Sequence, residues 1–209
     1  YASGPLLWIA NLLGIPTLIQ EQNSYPGITN KILSKKVNHI CVAYPEMEKF
    51  FPKQKITITG NPIRSKLLRQ IDKEIAYDQF NLLKNKKTIL AIGGSLGART
   101  INKSIEKSLN TWTQKGYQVI WQTGKSYALK AEKIAKNFQG VFASPFIKEM
   151  ELAYAAADLV ISRAGALSVS ELQVLGKASI FIPSPNVSED HQTKNALALV
   201  KKNAAILIK

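Results

Sequence analysis

The sequence contains few of the residues that build disulfides and metal sites. Among its 209 residues there are one cysteine and two histidines. A lone cysteine cannot form an internal disulfide, and it excludes a zinc site built from several cysteines. The sequence also lacks the H-E-x-x-H motif of zinc proteases and any Asp-x-Asp pair that could clamp a metal on a diphosphate. We therefore expect neither a metal ion nor a cofactor.

Long apolar runs are also missing. A helix that spans a bilayer needs about 18 consecutive apolar residues. The longest apolar stretch, residues 5–19, is interrupted by Asn11, Gly14 and Pro16. The chain opens with Tyr1 in place of an initiator methionine, and we interpret it as an internal fragment of a longer protein.

Acidic residues are scarce relative to basic ones. Lys and Arg total 28 against 14 Asp and Glu, which gives a formal net charge of +14 at pH 7. Such an excess favours polyanionic partners: nucleic acid, anionic lipid headgroups or phosphorylated small molecules. The sequence has no aromatic-basic RNA-binding signature, so we expect no nucleic-acid partner. Because the lysines are dispersed, an ordinary solvated surface is the alternative interpretation.

Apolar runs alternate with helix-period segments over most of the chain. From residue 86 onward, strands are predicted at residues 88–92, 117–122, 141–144, 159–162, 179–182 and 204–208, and helices at residues 98–113, 127–137, 148–157, 166–175 and 191–203. This alternation predicts βαβ units and a parallel α/β sheet with both faces covered.

The first sixty residues repeat the alternation less completely. Helices are predicted at residues 6–13, 28–36 and near 46–50, and strands at residues 17–20, 39–43 and 56–59. Asn61-Pro62 marks a turn, because proline forces extended backbone on the residue before it. We therefore predict two domains, over residues 1–62 and 63–209. A helix over residues 65–83, with a possible break, leads into the second.

A glycine-rich segment follows the first strand of the second domain. Gly93, Gly94 and Gly97 flank Ser95 between a predicted strand and a predicted helix. Free backbone N–H groups and the positive end of a helix bind phosphate at such a position, and glycines let the anion approach closely. The spacing does not match the G-x-G-x-x-G dinucleotide fingerprint. A tight turn without a ligand is the alternative.

A second lysine-containing segment, Thr123-Gly124-Lys125-Ser126, is similar to the end of a P-loop. That motif requires a glycine five residues before Gly124, where Val119 stands. We therefore reject a P-loop at this position.

Two further loops carry polar residues next to predicted strands. Small residues lead from the strand at 159–162 into a helix with Glu171 in its first turns, where a carboxylate could accept two ribose hydroxyls. Stabilisation of the helix dipole is an equally good role for Glu171. Gln192 and Asn195 share a helix face and carry amides suited to sugar hydroxyls. Since ligands of open α/β folds bind at the carboxyl ends of the strands, we expect these loops and the Ile147 loop to converge.

In their order along the chain, these motifs resemble the MurG family of bacterial glycosyltransferases, and the resemblance spans the whole chain. It rests on the segments Glu21-Gln22-Asn23, Pro26-Gly27-Ile28-Thr29-Asn30, Gly60-Asn61-Pro62-Ile63-Arg64, Gly93-Gly94-Ser95-Leu96-Gly97-Ala98-Arg99, Arg163-Ala164-Gly165-Ala166-Leu167-Ser168-Val169-Ser170-Glu171 and His191-Gln192-Thr193-Lys194-Asn195-Ala196. The resemblance implies a GT-B fold, in which two Rossmann-like domains flank the active site. Residues 1–62 would be the later part of the acceptor domain, and residues 63–209 most of the donor domain. Gln20 stands where the family usually has histidine, so no catalytic role is expected there.

The resemblance also implies a reaction and its residues. The family transfers N-acetylglucosamine, with inversion, from UDP-N-acetylglucosamine to the muramyl 4-hydroxyl of lipid I, which yields lipid II for peptidoglycan biosynthesis. The implied donor contacts are Ile147 to uracil through its backbone, Glu171 to ribose, Gln192, Asn195 and Asn23 to the sugar, Arg64, Ser95 and the loop of Gly93, Gly94 and Gly97 to the diphosphate, and Ala166, Leu167, Ser168, Val169 and Ser170 around the nucleotide. The general base is expected in an N-terminal segment that this chain lacks, so the fragment alone should be inactive.

Lipid I and the anionic inner-membrane surface are the further partners that the resemblance implies, with peripheral attachment at the cytoplasmic face. Lys31, Lys35 and Lys36 are the candidate membrane contacts, because they cluster at one predicted helix. The alternatives are a transferase of the same fold for another lipid acceptor, such as a diacylglycerol, a UDP-N-acetylglucosamine epimerase, and an anion-binding protein without catalysis. Glu21-Gln22-Asn23 favours the lipid I reading over another acceptor, and an epimerase lacks a convincing acidic pair.

Overall fold

The first part of the chain forms a small parallel sheet. The computed structural model describes residues 3–94, 96–185, 187 and 190–209. The elements up to residue 58 are α1 (Ser3–Leu12), β1 (Leu18–Glu21), α2 (Ile28–Leu33), β2 (His39–Val42) and β3 (Ile56–Ile58), with 3-10 turns at Met47–Lys49 and Lys53–Lys55. The strands lie in the order β1-β2-β3. Ile40 and Val42 are fully buried and alternate with more exposed neighbours, so one face of this sheet carries the core.

The second part of the chain forms a larger α/β layer. Its elements are α3 (Lys73–Gln79), β4 (Thr88–Ile92), α4 (Arg99–Gln114), β5 (Gln118–Gln122), α5 (Ala128–Ala135), β6 (Val141–Ser144), α6 (Met150–Ala156), β7 (Leu159–Ser162), α7 (Ala166–Val174), β8 (Ala178–Phe181), α8 (His191–Val200) and β9 (Ile206–Leu207). The strands lie in the order β6-β5-β4-β7-β8-β9, and all pair in parallel. The predicted parallel α/β architecture is confirmed.

Both faces of the larger sheet are covered. Every residue of β4 and β5 is buried, as expected for central parallel strands. Leu90 packs on one face in a core shared with α3, α6, α7 and α8. Trp121 packs on the opposite face with α4 and α5. The sheet is therefore a rigid platform from which the loops at its carboxyl edge project.

Several predicted helices are shorter than the periodicity indicates, including those over residues 65–83 and 28–36. The segment 65–83 breaks into a 3-10 turn, Ser65–Leu68, and α3. The break is stabilised because the Asp72 carboxylate accepts a hydrogen bond of 2.9 Å from the Glu74 N–H and caps α3. The helix predicted to reach residue 36 ends at Leu33, so Lys35 and Lys36 lie in the turn that follows α2.

The strand order creates a crevice at the carboxyl edge of the larger sheet. The chain runs from β4 outward to β5 and β6, and then returns to β7, the other neighbour of β4. Helices leave the sheet in opposite directions at such a point, and ligands of open α/β folds bind there. The glycine-rich segment follows β4 and the small residues 163–165 follow β7, so both lie at this crevice.

Candidate functional site

The glycine-rich loop after β4 lies directly on the turn that follows β5. Gly97 has a φ of +78°, and a Cβ built on it would lie only 2.2 Å from the Thr123 carbonyl oxygen. Gly124 faces it with a φ of +75°. Only glycine combines this backbone conformation with so close an approach. Ser95, the predicted hydroxyl contact of this loop, lies outside the described residues.

The turn after β5 is held by a buried polar pair. The Asn102 amide donates a hydrogen bond of 2.8 Å to the Thr123 carbonyl oxygen and accepts one of 2.9 Å from the Trp121 indole N–H. Both side chains are buried, so these bonds are shielded from competing water. The segment that is similar to a P-loop end thus serves as the support on which the glycine loop rests.

Gln122 connects the glycine loop to the Ile147 loop. Its amide donates to the Gly94 carbonyl oxygen at 3.3 Å and accepts from the Ile147 N–H at 3.0 Å. The Ile147 N–H is therefore engaged within the protein, and of its two backbone hydrogen-bonding groups only the carbonyl oxygen can serve the predicted contact to a nucleobase. Sequence reasoning missed Gln122, although a polar residue at the end of an otherwise apolar strand was the available signal.

Residues 166–170 form the first turns of α7 beside the same crevice. Leu167 is exposed, whereas the Val169 side chain is fully buried in the core. Any contact from Val169 to a ligand must therefore use its backbone. The Ser170 hydroxyl accepts a hydrogen bond of 3.0 Å from the Asn61 amide, which also donates to the Gln22 carbonyl oxygen at 3.0 Å. The start of α7 is thus tied to the chain segment between the two sheets.

Glu171 is a buried carboxylate with two side-chain partners. It is only 8% exposed, and its carboxylate accepts hydrogen bonds from Arg64 Nε at 3.1 Å, Arg64 Nη2 at 3.3 Å and the Tyr154 hydroxyl at 3.1 Å. Burial, with the adjacent carboxylate, raises the pKa of Tyr154 well above its ordinary value, so this hydroxyl remains a donor. The structure thus brings two predicted site residues, Arg64 and Glu171, into direct contact.

Asn195 and Asn23 meet across the seam between the two sheets. The fully buried Asn195 amide donates to the Asn23 side-chain oxygen at 3.0 Å and accepts from the Ser24 N–H at 2.9 Å. Asn23 in turn donates to Glu21, a buried carboxylate that also accepts from the Gly27 N–H at 3.0 Å. The two predicted sugar contacts are therefore adjacent, and both hold the loop after β1 in place.

Gln192 lies at the start of α8 and orders the loop after β8. Its side-chain oxygen accepts a hydrogen bond of 2.8 Å from the Ser184 N–H. Arg163, at the end of β7, donates to the Ile182 and Pro183 carbonyl oxygens at 2.9 and 2.6 Å. These contacts fix the strand ends on the far side of the crevice.

Three kinds of polar group follow strands of one sheet. The glycine loop precedes α4, whose first backbone N–H groups have no acceptor within the helix, as at an anion-binding helix end. The Ile147 carbonyl oxygen is a hydrogen-bond acceptor, and the Glu171 carboxylate accepts two hydrogen bonds from Arg64. Such a set suits a ligand with a diphosphate, a base and a ribose. Parallel sheets with a site of this kind are typical of the GT-B class of glycosyltransferases.

The family model described as the glycosyltransferase family 28 C-terminal domain matches residues 88–209. The chain belongs to this family. Among curated relatives, the UDP-N-acetylglucosamine–N-acetylmuramyl-(pentapeptide) pyrophosphoryl-undecaprenol N-acetylglucosamine transferase of Parabacteroides distasonis is 60% identical and aligns with 100% of this chain and 57% of its own length. The protein of the same name from Flavobacterium psychrophilum is 57% identical, with alignment over 100% and 57% of the two chains. This chain thus spans a little over half the length of these relatives.

Solved structures share the fold. The crystal structure of MurG from Acinetobacter baumannii is 33% identical, has a TM-score of 0.76, and matches 100% of this chain and 57% of that one. The glycotransferase of kitacinnamycin is 16% identical, with a TM-score of 0.70 over 99% and 61% of the two chains, and supports the fold alone. The predicted GT-B fold is confirmed. None of the helices in the described part of the chain is both long enough and apolar enough to cross a bilayer.

Proposed function

We propose that this chain carries the donor site of a transferase that moves N-acetylglucosamine from UDP-N-acetylglucosamine to lipid I and forms lipid II. The proposal is supported by the placement of the glycine loop after β4, the Ile147 loop after β6 and Glu171 on the helix after β7, at the carboxyl edge of one parallel sheet. Together they match the diphosphate, the uracil and the ribose of the donor. The names of the curated relatives support the choice of donor and acceptor.

The two sheets would have separate tasks in this reaction. Residues 63–209 would form most of the donor domain, and residues 1–62 the later part of the acceptor domain. Two contacts support a shared cleft: Asn23 with Asn195, and Asn61 with Ser170. Asn23 would reach the donor sugar from the acceptor side, while Gln192 and Asn195 would hold it from α8.

The chemistry follows from where charge develops. The muramyl 4-hydroxyl attacks the anomeric carbon, the bond from that carbon to the diphosphate breaks, and UDP leaves with inversion. A base outside the residues assigned here takes the hydroxyl proton. Negative charge grows on the leaving diphosphate, where the loop of Gly93, Gly94 and Gly97, Ser95 and the Arg64 guanidinium would stabilise it. Preorganised donors of this kind act without reorganisation during the reaction.

The transfer reaction itself tests the proposal. A protein of the relatives' full length, given lipid I, should transfer sugar from UDP-N-acetylglucosamine at least about 100-fold more efficiently, in kcat/KM, than from ADP-N-acetylglucosamine. The Ile147 carbonyl can accept the N3–H of uracil, whereas adenine offers no matching imide, and a site built around a hydrogen bond rejects ligands that cannot form it. Equal kcat/KM for the two donors, measured with radiolabelled sugar, would contradict the uracil contact. No transfer from either donor would contradict the proposed reaction.

We also propose peripheral attachment to the anionic cytoplasmic face of the bacterial inner membrane, where the lipid acceptor resides. Lys35 and Lys36 are exposed beside α1, and Lys36 Nζ lies 4.0 Å from the centroid of the Trp8 ring. On α1 itself, Leu6 and Leu12 are more than two-thirds exposed. Lys31, the third lysine of the predicted cluster, is half-buried against the Tyr25 ring. The membrane contact would therefore centre on Lys35 and Lys36.

Replacing Lys35 and Lys36 together with glutamine should weaken binding to anionic vesicles by on the order of tenfold or more. Each lysine near an anionic surface contributes about 1 kcal/mol, and salt screens the attraction. Co-sedimentation of the full-length protein with phosphatidylglycerol vesicles at low and high salt measures this. Lys103→Gln with Lys107→Gln, on the exposed face of α4, is the matched control. Equal binding to neutral vesicles, or indifference to salt, would rule out the electrostatic mechanism.

A further inference from the structure

Tyr154 contacts the Glu171 carboxylate but is not among the residues assigned to the donor. It lies on α6, is 2% exposed, and belongs to the core on one face of the larger sheet. Its hydroxyl donates a hydrogen bond of 3.1 Å to Glu171 Oε2. A hydroxyl in such a core needs a partner, because an unpaired buried polar group is costly. The Glu171 carboxylate is that partner.

The two residues that bind Glu171 differ in how easily they can leave it. Arg64 lies in the segment between the two sheets, and its side chain is 52% exposed. Tyr154 is enclosed by the core and cannot withdraw without unpacking α6. The Tyr154 bond is thus the fixed one, and the Arg64 pair is the exchangeable one.

The exchangeable pair has the chemistry of the expected ligand group. Arg64 presents two parallel N–H donors, which reach the carboxylate at 3.1 and 3.3 Å. The 2′- and 3′-hydroxyls of a ribose also present two adjacent donors. A carboxylate offers about four acceptor positions, so Glu171 can keep the Tyr154 bond while a ribose takes the place of Arg64.

We propose that Tyr154 is a positioning residue for the Glu171 carboxylate. It holds the carboxylate in the orientation that binds both ribose hydroxyls of the donor, and the ribose takes the place of Arg64 on Glu171. The inference rests on the proposed function, since it assigns the ribose to Glu171. Released from Glu171, the Arg64 guanidinium becomes available to the diphosphate. Because the Tyr154 hydroxyl stays protonated at every working pH, its bond persists whether Arg64 or a ribose occupies the other positions.

Tyr154→Phe tests this role, because it removes one oxygen atom and retains the packed ring. We expect the affinity for UDP to fall about tenfold and the affinity for 2′-deoxy-UDP to fall less, so that the preference for UDP shrinks at least about threefold. Without the Tyr154 bond the Glu171 carboxylate is less well oriented. UDP, which bonds it through two hydroxyls, then loses more affinity than 2′-deoxy-UDP, which bonds it through one. Calorimetric titration of the wild-type protein and the variant with UDP and with 2′-deoxy-UDP gives both ratios.

Tyr77→Phe is the matched control, since it removes the same atom from another buried tyrosine of the same core; it should leave the preference for UDP unchanged. An equal fall in affinity for both nucleotides in Tyr154→Phe would indicate a structural defect and overturn the inference. Unchanged affinities for both would overturn it as well. Absence of UDP binding in the wild-type protein would instead overturn the proposed function, and the inference with it.

Discussion

Replacing Arg64 with alanine is expected to lower kcat of the full-length transferase about 100-fold while changing the Kd for UDP-N-acetylglucosamine by only a few fold. Two effects on ground-state binding oppose each other. The variant loses an attraction to the diphosphate, but it also loses the group that competes with the ribose for Glu171. The transition state has no such compensation, because additional negative charge develops on the diphosphate only as its bond to the sugar breaks. Loss of one preorganised donor to a developing anion costs about 100- to 1,000-fold in rate.

Arg69→Ala is the control for Arg64→Ala. It removes the same charge from an exposed arginine five positions further along the segment that connects the two sheets, at a cavity lined by Leu67 and Tyr154. Steady-state kinetics of both variants, together with titrations with UDP-N-acetylglucosamine, separate kcat from binding. If kcat and Kd are both unchanged in Arg64→Ala, the residue serves only to connect the two domains. If Kd rises while kcat is unchanged, the Arg64 contact is equally strong in the ground state and the transition state.

The repeating elements were predictable because their cause is local. Residues 88–92 and 141–144 are strands with the bounds that the apolar pattern indicates. The apolar runs of β4 and β5 are at most five residues long, which favours a buried strand over a helix. Helix ends were less predictable, since a single side-chain cap such as Asp72 outweighs several residues of weak helical periodicity.

The site was predictable only as a set of loops. A parallel sheet places the ends of its strands at one edge, so Gly94, Ile147 and Glu171 could be grouped from order alone. The contacts that orient them join residues far apart in the chain, as Gln122 does with Gly94 and Tyr154 does with Glu171. No local pattern encodes such pairs, because each partner is an ordinary residue of its own strand or helix.

Residues 123–126, the segment rejected as a P-loop, are a second example of a contact that no local pattern encodes. These residues do not fulfil the P-loop motif. No local pattern predicts that they support the glycine loop. The structure shows that Gly124 faces Gly97 at a separation that excludes any side chain between them. Gly97 and Gly124, on different loops, are thus both required by the same close contact. Their partnership depends on the pairing of β4 with β5, which brings the two loops together.

Gly97→Ala is expected to disrupt this contact, with a loss of stability and a fall in UDP affinity of at least about tenfold. Any residue but glycine at a φ of +78° costs about 1–2 kcal/mol, and the new Cβ would also lie 2.2 Å from the Thr123 carbonyl oxygen. That oxygen belongs to a backbone held by Asn102, so the glycine loop must move instead. A displaced loop no longer directs its N–H groups at the diphosphate.

Gly116→Ala separates the two costs of Gly97→Ala. Gly116 has a φ of +83°, but a Cβ there meets nothing within 4 Å. It should carry only the backbone cost, which for a domain of this size lowers Tm by roughly 2–4 °C per kcal/mol, and it should bind UDP normally. Thermal melts and UDP titrations of both variants measure the difference. Equal Tm shifts with wild-type UDP affinity in both would mean that the Gly97 loop tolerates the Cβ by local adjustment. A larger Tm loss and weaker UDP binding in Gly97→Ala alone would trace both effects to the contact with Thr123, because the strained backbone conformation is common to the two variants.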